Sequence, residues 1–300
     1  MSTLRPTETN AAAELPSGDV MADLVANGSI ELSATALEQI PKASQLLPFG
    51  TSVYIPSPAK QSLHSSIGIV AALHEAGLEA VPHIAARKLK SRRELREYLH
   101  RVVRDYGVHR VLIIGGDVAK AAGPYADSSA LLHDDVLAEA GIHEIGIAGY
   151  PEGHPRIPHQ VLNADFDEKL ELASRLGLGI EVITQFSFAP ARITEYCAAL
   201  SHRAPEVPVY VGLAGPTQAA MLLRYARYCG VSASLRALTD LGIKAVKLIS
   251  HTNPDEQLSA LAHYCAMRES CNVIGIHVFS FGGFERSAAW MREKCRQRRR

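Results

Sequence analysis

The feature that most constrains this 300-residue chain is an alternation. Short runs rich in Val, Ile and Leu recur eight times, at 28–34 (GSIELSA), 51–56 (TSVYIP), 77–84 (GLEAVPHI), 109–117 (HRVLIIGGD), 142–150 (IHEIGIAGY), 180–188 (IEVITQFSF), 207–215 (VPVYVGLAG) and 272–281 (NVIGIHVFSF). The clearest of them carry apolar residues at successive positions, the mark of a strand buried on both faces. Amphipathic helical stretches separate the runs. Strands of that kind alternating with helices form a parallel sheet. Eight such units in about 270 residues predict an α/β TIM (β/α)8 barrel. A doubly wound open sheet is the rival arrangement. The expected organisation is a flexible lead-in over 1–27 and a single barrel domain over 28–300.

The helical gaps carry their own signals. In SRRELREYLHRVVRDYG the residues Leu95, Leu99, Val102, Val103 and Tyr106 share one face, Ser91 suits an N-cap and Gly107 follows the end. TQAAMLLRYARYCG (217–230) repeats the plan and also closes on glycine. TNPDEQLSALAHYCAMRES (252–270) opens on a capping residue, a proline and two acids, which suits a helix start. A helical piece near 232–241 precedes GIKAVKLIS (242–250), which reads as strand-like and leaves the strand count there open.

Charge excludes some partners. With 31 basic and 31 acidic residues the formal charge is zero, so nothing favours nucleic acid or a membrane surface as the main partner. The basic CRQRRR end reads as a solvated tail. The five cysteines are odd in number and form no CxxC, which argues against a disulfide scaffold and a structural zinc site. A reducing cytoplasm is the expected location. No apolar run approaches 18 residues, and the N-terminus lacks the apolar core of a signal peptide.

In a barrel, function gathers at the C-terminal ends of the strands. There the sequence places Glu31, His83, Gly115–Gly116–Asp117, Tyr150, Glu152 and His154, Thr184 and Gln185, and His277 and Phe279. The loop GYPEGHPRIPH (149–159) is too rich in proline and glycine for helix or central strand, yet it holds a tyrosine, a glutamate and two histidines. Each residue has a plain structural reading. Glu31 suits an exposed edge, His83 a loop carbonyl, Asp117 a helix cap and Gln185 a buried backbone partner. A metal at the mouth, held by His83, Asp117, His154 and His277 as in metal-dependent aldolases or hydrolases, is an alternative, although no HxH or HExxH spacing occurs.

The motifs also resemble a family. Gly77-Leu78-Glu79-Ala80-Val81-Pro82-His83, Gly115-Gly116-Asp117, Tyr150-Pro151-Glu152-Gly153-His154-Pro155 and Ile183-Thr184-Gln185-Phe186 are similar to the GLEAxPH, RGD, YPExHP and ITQF segments of the methylenetetrahydrofolate reductases, FAD-dependent TIM-barrel enzymes of one-carbon metabolism. The resemblance spans roughly Gly28 to Phe281.

That resemblance implies a flavin-dependent oxidoreductase interconverting 5,10-methylenetetrahydrofolate and 5-methyltetrahydrofolate by hydride transfer through FAD. It implies Glu31 as general acid, Asp117 beside flavin and pterin, and Gln185 and Phe279 on the folate. It implies His83, Gly115, Gly116, Asp117, Tyr125, Ala126, Tyr150, His154, Asn163, Asp165 and Lys169 along the FAD. Departures stand beside it. The arginine of RGD is Gly115, the second strand reads Tyr54-Ile55-Pro56, and the family's FYTLNR is Val278-Phe279-Ser280-Phe281-Gly282-Gly283. These changes count against ordinary use of NAD(P)H. They also leave a folate- or flavin-binding barrel without turnover as a further alternative. A homo-oligomer is among the open options for assembly.

Overall fold

A computed structural model describes residues 17–32, 37–58, 61–231, 253–268 and 270–297 of the chain. Its strands are β1 (Ser29–Glu31), β2 (Ser52–Ile55), β3 (Glu79–Ala85), β4 (Arg110–Ile114), β5 (Glu144–Gly149), β6 (Gly179–Thr184), β7 (Val209–Ala214) and β8 (Val273–Phe279). They pair in sequence order, all parallel, and β8 closes on β1 with Ile30 opposite Val278 and Glu31 opposite Phe279. The result is the TIM barrel expected from the alternation. Each of the eight apolar runs coincides with one strand, β3 and β6 extending one residue beyond theirs.

The helices are α1 (Ser17–Ala26), α2 (Ile40–Ser44), α3 (Ile67–Glu75), α4 (Arg92–Tyr106), α5 (Ser129–Leu132), α6 (Val136–Glu139), α7 (His159–Leu176), α8 (Pro190–Arg203), α9 (Ala219–Tyr228), α10 (Asp255–Ala266) and α11 (Phe284–Arg296). Local chemistry sets their ends. Ser91 Oγ accepts the Glu94 N–H at 3.1 Å, Glu94 Oε2 accepts the Lys90 N–H at 2.8 Å, and Gly107 ends α4 at φ 68°. In α4 Leu95, Leu99 and Val102 of the stripe read from the spacing are buried, Val103 and Tyr106 are half-buried, and Tyr98 joins the buried face. The N-terminal boundary differs from expectation. Residues 17–26 are helix, not lead-in, because Ala22, Leu24 and Val25 bury against the barrel. The expected helical and strand-like pieces at 232–241 and 242–250 lie outside the described residues.

The main core lies between the strands and the surrounding helices. A smaller apolar plug of Tyr54, Val81, Leu112 and Ile183 fills the barrel interior. Below it, where the strands begin, the filling is polar. Arg110 reaches Glu144 at 2.7 Å, Glu181 at 3.3 Å and Glu79 at 3.8 Å, and the buried Tyr54 hydroxyl donates to Glu181 at 2.6 Å. Burial and then the Glu181 carboxylate push the Tyr54 hydroxyl well above its ordinary pKa. This end of the barrel is therefore closed, and chemistry is left to the other end.

Candidate active site at the barrel mouth

Glu31 is the last residue of β1, so its side chain stands at the mouth. Its Oε2 lies 3.5 Å from Nε2 of His83 on β3 and 3.9 Å from Nε2 of His277 on β8. Both imidazoles are buried, and neither Nε2 has a hydrogen-bond partner. Nδ1 of His277 bonds Oγ of Ser29 at 2.9 Å. Burial holds His83 down to about 4, against a smaller upward pull from Glu31. His83 is therefore neutral at neutral pH. Tyr54 presents its ring edge to His277 at 4.7 Å between centroids and underlies the group.

The β6–β8 side of the mouth is an aromatic wall. Phe186 meets Phe279 at 5.7 Å, Phe281 at 5.1 Å and Phe188 at 5.6 Å, and Phe281 stacks on Tyr225 of α9 at 4.1 Å. Gln185 follows β6, its Oε1 accepting the Phe186 N–H at 3.1 Å. Cys229 bonds the Gln185 side chain and feels the carboxylates of Glu31 and Asp117, and burial pushes its thiol up to about 12. The turn after α9 thus crosses the opening. Tyr228 donates to Asp117 Oδ2 at 2.6 Å, and Gly230, at φ 74°, packs so tightly that a Cβ there would lie 2.4 Å from Pro155.

The β3–β5 side is polar. Arg87, after β3, folds over the end of β4 and donates to the carbonyls of Gly116 and Val118, the latter at 2.8 Å. A Cβ on Gly115 would lie 3.3 Å from Nη1 of Arg87, and Gly116 has φ 87°, so glycine suits both places. Tyr150 and His154 meet edge to face at 5.1 Å. Burial, and next Asp165, push the Tyr150 hydroxyl up to about 12, while burial lowers His154.

The structure brings Glu31, His83 and His277 together and sets Asp117, Gln185 and Cys229 around one opening. Other predicted residues face elsewhere. The Tyr125 hydroxyl donates to Asp134 at 2.6 Å, and Ala126 is exposed beside it. Asn163 lies on the exposed face of α7 and binds Arg203 at 2.9 Å. Lys169 is buried and ion-paired to Asp165, which also accepts from Ser129 at 2.8 Å. His83, Asp117, His154 and His277 are not drawn into one set, and among the described residues no three His, Cys, Asp or Glu side chains gather as metal ligands. Sequence reasoning missed Arg87, Tyr228 and Cys229.

A barrel with an acid–imidazole cluster at its mouth and an aromatic wall beside it belongs to the class whose function sits at the C-terminal ends of the strands. The chain belongs to the methylenetetrahydrofolate reductase family, whose model matches residues 31–278. Its fold is similar to that of an uncharacterized Clostridium thermocellum protein that binds two copies of 5-methyl-5,6,7,8-tetrahydrofolic acid. The identity is 13%, the TM-score 0.54, with 90% of this chain and 94% of that one covered. Similarity extends at lower scores to the 3-dehydroquinate dehydratase of Aquifex aeolicus VF5, at 14% identity and TM-score 0.47 over 90% and 97% of the two chains. It extends also to the dihydropteroate synthase of Xanthomonas albilineans, at 12% identity and TM-score 0.46 over 88% of each.

The family implies FAD, and one side of the mouth has the chemistry for it. Beside Gly115–Gly116 lies a cavity of ≈ 340 Å3 lined by Arg87, Lys88, Lys90, Lys120, Glu94 and Val118 among others. Its four cations against one carboxylate suit a phosphate-bearing group.

Proposed function

We propose that this chain binds a reduced folate over Glu31 and, with FAD bound, interconverts 5,10-methylenetetrahydrofolate and 5-methyltetrahydrofolate. The observation that carries this reading is the convergence of two buried, otherwise unpartnered imidazole nitrogens on one carboxylate oxygen at the end of β1. Family membership and the folate bound by the Clostridium thermocellum protein of like fold support the substrate class.

Opening the five-membered ring of the methylene folate requires a proton on the departing nitrogen, and closing it requires that proton's removal. Oε2 of Glu31 is the atom proposed to hold and move it. Neutral His83 sets no fixed cation against the carboxyl. When Ser29 donates to Nδ1 of His277, the imidazole hydrogen sits on Nε2 and faces Glu31. The amide of Gln185 offers both donor and acceptor to a pterin edge, and Asp117 an acceptor. Phe186 and Phe279 exclude water from the reacting side.

FAD, when bound, supplies the hydride donor and acceptor. His83, Gly115, Gly116, Asp117, Tyr150 and His154 would hold it, with Arg87 and Lys120 toward its phosphates. Asp165 and Lys169 would join through Tyr150, whose hydroxyl senses Asp165. Tyr125, Ala126 and Asn163 would contribute only by leaving their present surroundings. The proposal gives NAD(P)H no fixed role.

A second reading, folate binding without turnover, is favoured by one observation: Tyr125, Asn163 and Lys169 are already engaged within the protein. Calorimetric titration with 5-methyltetrahydrofolate tests the folate site. Saturable binding weakened roughly tenfold by Gln185→Ala is expected, the loss of about one good hydrogen-bonding pair. A folded protein that binds no folate overturns both readings. Folate binding without FAD uptake leaves the second.

A further inference from the structure

Two cysteines meet far from the mouth, on the face where the strands begin. Cys265 lies in the last turn of α10 and Cys271 two residues before β8. Their sulfurs are 3.3 Å apart, closer than a relaxed contact between two thiols, and a disulfide needs them at about 2.05 Å. Both side chains are part-buried and pack on the core.

The surroundings hold this pair in place and polarise it. Asn272, next in the chain to Cys271, donates to the carbonyls of Val207 at 2.9 Å and Ala204 at 3.2 Å and accepts from Ser201. The loop before β8 is thereby pinned to the end of α8. Arg268, kept in position over the Tyr264 ring at 4.4 Å, lies near Cys271, and the Val273 N–H points at its sulfur. The Cys265 thiol is the main cause lowering Cys271 below the ordinary thiol range, and the same contact raises Cys265. Of the two, Cys271 is therefore the readier nucleophile. Cys197 on α8 lies close to both but is fully buried, and burial pushes it up to about 12.

We propose that Cys265 and Cys271 are a reversible dithiol–disulfide site, oxidised by small disulfides such as glutathione disulfide. The Cys271 thiolate attacks one sulfur of the oxidant, forming a mixed disulfide and releasing one thiolate. Cys265 gives its proton to solvent and attacks the Cys271 sulfur, which expels the second thiolate. Two protein thiols have then lost two electrons and two protons, and one small disulfide has become two thiols. The bond ties the end of α10 to the approach to β8, the strand that carries His277 and Phe279. This inference is independent of the folate reading.

The test uses the whole folded protein in glutathione buffers, quenched by alkylation and read by intact mass and peptide mapping. Wild type is expected to lose two alkylatable thiols together, mapped to Cys265 and Cys271, and to regain both in reduced glutathione. Cys197→Ser should behave like wild type. Cys265→Ser should stop at one glutathione on Cys271. Five thiols that stay free in glutathione disulfide would overturn the proposal, as would a bond mapped to Cys197. The wild-type result stands even if a variant fails to fold.

Discussion

The hydroxyl of Tyr228 donates to Oδ2 of Asp117 across the barrel mouth at 2.6 Å. Tyr228 ends α9, which follows β7, and Asp117 follows β4, so the bond joins opposite sides of the opening. A ligand that uses Asp117 must displace that hydroxyl. Tyr228→Phe is therefore expected to tighten binding of 5-methyltetrahydrofolate by roughly threefold to tenfold, the worth of one hydrogen bond of about 0.5–1.5 kcal/mol. Tm should hardly move, because Tyr228 is 70% exposed. Weaker binding in calorimetry would mean that Tyr228 holds the ligand instead of guarding the site.

His83 predicts a pH dependence of stability. Burial takes its pKa from 6.5 in the unfolded chain to about 4 in the folded one. Between those values the unfolded state binds a proton that the folded state refuses, so stability is full above pH 6.5 and falls as pH drops toward 4. The gap is worth about 3 kcal/mol. Urea unfolding at pH 7 and pH 5 checks this against His83→Gln, which should lose less stability over the same interval. Equal losses would show that His83 takes up its proton as readily folded as unfolded.

Arg110 is the central cation of the polar base, 14% exposed and facing Glu79, Glu144 and Glu181. Arg110→Met leaves three carboxylates around an uncharged chain. A loss of about 3 kcal/mol is expected, since removing one partner strands buried charge on the others. Denaturant unfolding at neutral pH reads the loss. Part of it should return at lower pH, where Glu181, already raised by burial, protonates first. A loss below about 1 kcal/mol would show that the network behaves like a surface pair.

The barrel was legible because its strands are buried on both faces and their ends carry glycine, proline and capping residues. Ser91 and Gly107 marked α4 correctly for that reason. α1 was not, since its short apolar set, Ala22, Leu24 and Val25, gains meaning only against the barrel it covers. Glu31, His83 and His277 could be placed at the mouth from strand order, because a parallel barrel puts every strand's C-terminal end on one face. Their convergence on one oxygen depends on β8 closing against β1, which no local pattern states. Arg87 escaped notice because the arginine sits after β3 and covers the end of β4. Asn163 and Asp165 are two apart on α7, so they face different ways. Asp165 and Lys169, four apart, share the inner face. The thiol pair was hidden by its spacing of six residues, which is a contact only because α10 ends where β8 approaches.

The central claim is that Glu31 moves the proton of folate ring opening. FAD-loaded protein, reduced without oxygen and mixed with 5,10-methylenetetrahydrofolate, measures it through the return of flavin colour. Wild type should recolour rapidly, and Glu31→Gln, of the same size but with no proton to give, should do so about 10²–10⁴-fold more slowly while still binding the folate. Recolouring at equal rates in both proteins, or none in a wild type saturated with FAD and folate, would contradict the account.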